Sequence, residues 1–281
     1  RSVPMLCLDL RDAPEATLAA AIEKAATEAQ ASLSLESGPL LRAVLWKLAP
    51  TTSDRLLIVV HHLAVDGVSW RILLDDLWTA YAQRARGEAI QLAPKTTSFQ
   101  RWSELLVTEA HREAIVAEEA YWLAEARRSV ERLPVDHDGG VNTEATARHV
   151  VLTLTLEETA ALLREVPEAY QTQISDVLLT AFAQTMSAWT GSPHTLVDVE
   201  GHGREDTIAD VDLTRTVGWF TTVYPLLIEL PPGASPARAL TSVKEQIRAV
   251  PRRGLGYGLL RYLREGSASA ALASLPAAEV S

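Results

Sequence analysis

The stretch Arg55-Leu56-Leu57-Ile58-Val59-Val60-His61-His62-Leu63-Ala64-Val65-Asp66-Gly67-Val68-Ser69-Trp70 reads as a strand, a turn and the start of a helix. The aliphatic run Leu56 to Val60 has strand length, and the strand is expected over Arg55 to His62. A run apolar at every position predicts a strand covered on both faces, in a mostly parallel or mixed sheet. Asp66-Gly67 lets the chain turn, and Ser69 is expected to cap a helix reaching Arg86. Ile72, Leu73, Leu77, Ala80 and Tyr81 form its apolar stripe, and Gly87 stands where a helix stop is expected.

Working outward, Leu40 to Leu48 predicts a second strand, and Glu15 to Ser32 an amphipathic helix. Helical pattern returns from Ser98 to about Arg128, in one piece or two. The segment Leu133 to Asn142 is the clearest breaker in the chain. Beyond it the pattern predicts a strand at Arg148 to Leu156 and helices at Glu157 to Val166 and Ile174 to Thr190. Strands at Thr195 to Glu200 and Val223 to Leu230 follow, and then a helix starting at Ser235-Pro236 and ending near Ala249. Strands alternate with long helices in both halves, so the class is α/β. The expected division is a first lobe over 1–134, a linker over 135–146 and a second lobe over 147–281.

The 281 residues contain 36 acidic and 26 basic side chains, a formal charge of −10. That balance argues against a nucleic-acid partner, since phosphate contacts require clustered Lys and Arg. The single cysteine, Cys7, cannot form an internal disulfide. No apolar run approaches the ~20 residues of a membrane span. The N-terminal decapeptide meets charge at Asp9 before an apolar core forms, unlike a signal peptide. A soluble, cytoplasmic protein, excised from something longer, is the expectation.

Two constellations can carry proton chemistry. If the strand persisted through His61 and His62, one ring would face a cleft and the other pack inward. A histidine at a strand end beside a helix N-terminus is well placed for proton transfer, because imidazole titrates near neutrality. Gly67 leaves room for close approach of a ligand. Asp66 is expected to pair with Arg42 and brace the loop. A triad or metal role for Asp66 is disfavoured, because no nucleophile elbow or paired metal-ligand motif accompanies it. The second constellation is Glu200-Gly201-His202-Gly203-Arg204-Glu205. Its carboxylate closes a strand, and a partly buried carboxylate can act as a base. Two glycines admit close approach on either side of His202. Two aromatics in Arg215-Thr216-Val217-Gly218-Trp219-Phe220-Thr221 read as core packing. Gly254-Leu255-Gly256-Tyr257-Gly258 follows a helix rather than a strand and lacks the spacing of a dinucleotide loop. Arg252, Arg253, Arg261 and Arg264 form a basic cluster, read either as a solvated helix face or as a surface for an acidic carrier.

His61-His62-Leu63-Ala64-Val65-Asp66-Gly67 resembles the H-H-x-x-x-D-G motif of the condensation-domain superfamily of nonribosomal peptide synthetases. That motif alone leaves condensation, cyclization and epimerization domains open. The extension through Trp70, the segment Asp176 to Ala181, and above all Glu200 to Glu205 resemble the epimerization branch. The segments Arg215 to Thr221 and Gly254 to Gly258 follow in that family's order. Together these motifs run from about Leu40 to Gly258.

The resemblance implies two chloramphenicol-acetyltransferase-like lobes in a V, the N-terminal one incomplete. It implies a cofactor-independent L-to-D epimerization at Cα of an aminoacyl or peptidyl thioester. The substrate would arrive on the phosphopantetheine arm of an upstream peptidyl carrier domain, and a downstream condensation domain would take the product. His62 and Glu200 are then the acid/base pair, His61 is a packing residue, Asp66, Gly67 and Arg42 hold the loop, and His202 and Tyr224 line the site. No metal and no cofactor of the domain's own is implied. The family's early N-terminal signature and its late F-N-Y-L-G segment have no counterpart here, so a domain truncated at both ends is expected. Condensation, and a silent domain that only docks a carrier, are the competing readings.

Overall fold

The structure, a computed structural model, describes residues 3–137, 139–141, 143–204 and 208–281. The chain divides into two compact units, one of Arg1–Trp102 with Ile208–Phe220, the other of Ser103–Thr207 with Thr221–Ser281. This division differs from the expected lobes 1–134 and 147–281. The chain leaves the first unit inside a helix, and a later segment returns to it. A pattern of breakers marks where the chain turns, not which core a segment joins.

In the first unit, β1 (Met5–Asp9) pairs in parallel with β2 (Leu41–Lys47), and β2 pairs antiparallel with β3 (Arg55–Val60). The helix α1 (Glu15–Ala31) lies on this sheet. Its Leu18, Ile22, Ala25 and Ala29 meet Val44, Trp46, Leu48, Leu57 and Val59 in one apolar cluster. The helical spacing of those residues produces that face. The aliphatic run of β3 is not covered on both sides. β3 is an edge of the described sheet, and Leu56 is half exposed. The strand also ends at Val60, one residue before the histidine pair, and a short helical turn follows at His62–Ala64.

The helix α2 (Gly67–Ala85) starts two residues before the expected cap. Asp66 is the cap, and its Oδ1 accepts from Ser69 N–H at 2.7 Å. α3 (Phe99–Glu109), α4 (Glu113–Val116) and α5 (Glu119–Trp122) divide the expected helical region into pieces.

In the second unit, β4 (His194–Gly201) pairs antiparallel with β5 (Thr222–Glu229). One face of this ribbon carries Tyr224, Leu226 and Ile228 into a core. α8 (Ile174–Thr190) and α9 (Pro236–Arg248) pack on it, supplying Ala183, Ala239 and Val243. Gly191 ends α8 in the left-handed region, and Ser235 caps α9. α6 (Leu156–Ala160) and α7 (Val166–Tyr170) are joined by a wider helical turn at Ala161–Glu165. α10 (Leu255–Gly258) and α11 (Ser267–Ala273) follow α9.

The strand expected at Arg148 to Leu156 does not form. Residues 148–155 are irregular, with Val150 91% and Leu152 92% exposed. Alternating aliphatics supply a strand's side chains, but a strand also needs a partner for its amides and carbonyls. Among the described residues none pairs with this segment. No helix among the described residues is long and apolar enough to cross a membrane.

Candidate active site

The first unit builds the surroundings of His62. His61 keeps extended backbone, and its Nδ1 accepts from Leu63 N–H at 3.2 Å, which starts the helical turn. His61 is therefore a local cap as well as a half-buried side chain. His62 is exposed, and its ring meets Trp219 edge-to-face with centroids 5.8 Å apart. The expected division of the two rings between opposite strand faces does not arise, because neither histidine is in the strand.

Asp66 is 5% exposed. Besides capping α2, its Oδ2 accepts from Phe220 N–H at 3.2 Å. Arg42 is not its partner. Arg42 sits in β2 opposite Val59, with its Nε buried and unpartnered, and the carboxylate is engaged by backbone amides instead. Two N–H donors held by the fold meet the carboxylate in charge-assisted hydrogen bonds. Gly67 is the exposed first residue of α2, and among the described residues nothing beyond its own chain neighbours and helix backbone lies within 4 Å of the position a Cβ would take.

Ser69 is fully buried, and its hydroxyl joins the returning segment instead of capping the helix. Its Oγ donates to Gly218 C=O at 2.9 Å and accepts from Gly218 N–H at 3.1 Å. Arg215 pairs with Asp76 of α2 at 2.6 Å, and Thr216 Oγ1 donates to Thr97 C=O at 2.6 Å. A side chain at Gly218 would overlap the Phe99 ring, at 2.2 Å from Cδ2. The segment read as core packing does pack, through Phe220 and Thr216, but it also carries Trp219 to His62. Its glycine between small and aromatic residues was the visible signal of that close approach.

The second unit holds Glu200, the penultimate residue of β4, opposite Val223 of β5. Glu200 is exposed rather than partly buried. Asp198 lies two residues upstream on the same strand face. Burial pushes its carboxyl above the usual range. Gly201 crowds Thr222, since a Cβ there would stand 2.8 Å from Oγ1. His202 is exposed, and its Nδ1 accepts from Arg204 N–H at 3.1 Å, with Gly203 turning through φ +65°. Glu205 lies outside the described residues. Tyr224 is 7% exposed and joins the core beside Trp122, with ring centroids 6.2 Å apart. A pocket of about 660 Å³ at the other end of β4 is lined by Arg132, Thr190, His194, Thr195 and Glu279, none of them a candidate residue.

The basic cluster is not a free patch. Arg252 pairs with Glu118 at 2.9 Å, Arg264 with Glu119 at 2.5 Å, and Arg261 lies over the Tyr262 ring. Asp66, Ser69 and the 215–220 segment are thus brought together with His62 in one unit. Glu200, His202 and Tyr224 share the other.

A family model described as Condensation domain matches residues 1–277. The chain is 49% identical over 279 residues to one protein of the linear gramicidin synthase of Brevibacillus parabrevis, covering 99% of this chain and 4% of that protein. It is 47% identical over 275 residues to the chondramide synthase of Chondromyces crocatus, covering 97% of this chain and 7% of that protein. The chain therefore spans only a small part of these relatives. Among solved structures, the epimerization domain from the third module of tyrocidine synthetase B matches with a TM-score of 0.83 and 34% identity, over 97% of this chain and 60% of that one. The first condensation domain of the calcium-dependent antibiotic synthetase shares the fold, with a TM-score of 0.64 and 22% identity over 95% of this chain and 58% of that one.

Proposed function

The chain belongs to the condensation-domain family, and on that premise we propose that it epimerizes an aminoacyl or peptidyl thioester at Cα. The observation that carries the reading is the pairing of two signatures in one chain. His61-His62-x-x-x-Asp66-Gly67 is followed by Glu200-Gly201-His202-Gly203-Arg204-Glu205, in a sequence 34% identical to a solved epimerization domain but 22% identical to a solved condensation domain.

The substrate is a thioester tethered to the phosphopantetheine of a peptidyl carrier domain upstream in the synthetase. A condensation domain downstream takes the product. The thioester acidifies the Cα proton. One of His62 and Glu200 removes it, and the C–H electron pair passes into the carbonyl as an enolate. The other member of the pair delivers a proton to the opposite face of Cα, and the configuration inverts. Each group contributes a factor of about 10² to 10⁴. No cofactor of the domain's own takes part.

The exposure of both side chains supports this reading, because each can be reached by a tethered acyl group. Asp66 and Ser69 hold Gly218 to Phe220, and through them Trp219 against His62. Ser69 N–H is already engaged by Asp66, so it is not a donor for the enolate oxygen.

The test uses the synthetase module that contains this chain, with its carrier loaded with an L-aminoacyl thioester in D₂O. Deuterium should enter Cα, and the released acid should contain both enantiomers. His62→Ala and Glu200→Gln should each slow exchange by about 10²- to 10⁴-fold. A dipeptide formed from two loaded carriers without Cα exchange would establish condensation instead. Carrier binding with neither reaction would establish a docking domain.

A further inference from the structure

The segment Arg252 to Gly258 has a backbone that its sequence does not favour. Arg252 (φ 45°, ψ 34°) and Arg253 (φ 51°, ψ 36°) are both left-handed, and Gly254 continues the turn at φ +86°. Two consecutive non-glycine residues in this region are strained, and such a turn persists only where its surroundings hold it. Here the surroundings are identifiable. Arg252 Nε donates to Glu118 Oε1 at 2.9 Å. Glu118 is 7% exposed, and its Oε2 accepts from Trp122 Nε1–H at 3.3 Å. Gly256 lies directly against that carboxylate, since a Cβ there would stand 1.8 Å from Oε2. The next residue, Glu119 on α5, holds Arg264, which follows the helical turn Leu259–Leu263. One carboxylate thus holds the start of the glycine-rich stretch, and its neighbour holds the chain six residues beyond Gly258.

The clamped turn packs against β5, beside the end of β4. A Cβ on Gly254 would overlap the Tyr224 ring, at 1.8 Å from Cδ1. A Cβ on Gly201 would have the Arg253 carbonyl oxygen at 3.9 Å. Tyr224 is the cross-strand neighbour of Val199, and Gly201 that of Thr222, so the turn packs on one neighbour of Glu200 in register and lies near the other.

We propose that Glu118 is a positioning residue for Glu200: by holding Arg252 it fixes the left-handed turn against Tyr224 and Gly201, and so aims the carboxylate at the end of β4. The inference rests on the acid/base role given to Glu200 above. It also gives Gly254 and Gly256 a purpose, since only glycine admits Tyr224 and Glu118 so closely.

The experiment compares the wild-type module with Glu118→Gln. Backbone amide exchange of residues 199–202 and 222–224 should quicken about tenfold or more as the turn loosens. With carrier-bound substrate, kcat for Cα exchange should fall by about 10²-fold with KM within about threefold, the pattern of a misplaced group rather than lost binding. Adding Arg252→Gly should restore kcat to within about tenfold of wild type, because glycine adopts the left-handed turn freely and no cation is left stranded. Should Glu118→Gln fail to fold, Gly256→Ala displaces the same carboxylate and is read in the same way. Unchanged amide exchange, an unchanged kcat, a rise confined to KM, or no recovery in the double variant would each overturn the proposal. If the wild-type module exchanges no Cα proton, the epimerase reading falls, and amide exchange alone decides the positioning.

Discussion

The amide of Phe220 donates to Asp66 Oδ2 at 3.2 Å across 154 residues of chain. Asp66 also caps α2, so one buried carboxylate closes a helix and fastens the segment that carries Trp219 to His62. A loop aspartate in this position joins local and distant structure through hydrogen bonds from backbone N–H groups.

Asp66→Ala should therefore destabilise the first unit twice over. Loss of the cap costs about 1 kcal/mol. Leaving the Phe220 amide buried without an acceptor costs about 1–3 kcal/mol more. Denaturant unfolding should show a lower midpoint for Asp66→Ala than for Asp66→Asn, which keeps one acceptor. Equal midpoints would mean that the carboxylate bears little load.

Gly218→Ala should also destabilise, by about 1–3 kcal/mol, because its methyl enters the space of the Phe99 ring. Phe99 meets Phe220 edge-to-face at 5.2 Å, so the ring has a neighbour on its other side. Shortening it in Phe99→Leu should make room for the alanine. The double variant should be more stable than the sum of the single effects allows. Simple additivity would place the strain elsewhere.

Asp198→Asn tests the pH dependence. Burial raises the folded-state pKa of Asp198, so the ionised form is penalised in the fold. A raised carboxyl contributes stability that is full below its unfolded value near 3.8 and is lost as pH rises through the folded value. Asparagine does not ionise. The variant's Tm should gain on the wild type between pH 3 and pH 7, intervals of about one unit being enough to resolve the trend. A difference independent of pH would show that the carboxylate is not desolvated.

For the chemistry, His62→Ala and Glu200→Gln should each lower Cα exchange by about 10²- to 10⁴-fold while leaving the Tm near that of the wild type. Both side chains are exposed, so neither supports a core. Trp219→Leu should be intermediate, because His62 stays but loses its aromatic neighbour. A Glu200→Gln module that exchanges at the wild-type rate would remove the carboxylate from the mechanism.

Much of this protein was legible in local pattern. The helices α1, α8 and α9, the strands β2, β4 and β5, and the stop at Gly191 all follow from spacing and punctuation that neighbouring residues enforce on one another. The two histidine- and glutamate-bearing motifs were also visible, because their residue types and intervals occur together along the chain. Partnership was not. The pattern of 148–156 matched a strand and found no neighbour, while Asp66 turned to Phe220 rather than Arg42. Ser69 bonded Gly218 instead of its own helix end, and the Arg252 charge was taken up by Glu118. Periodicity records which face of an element is apolar, and it is set within a few residues. A buried hydrogen bond or ion pair depends on which distant group the packed chain delivers within about 3 Å, and that choice exists only once the cores have formed.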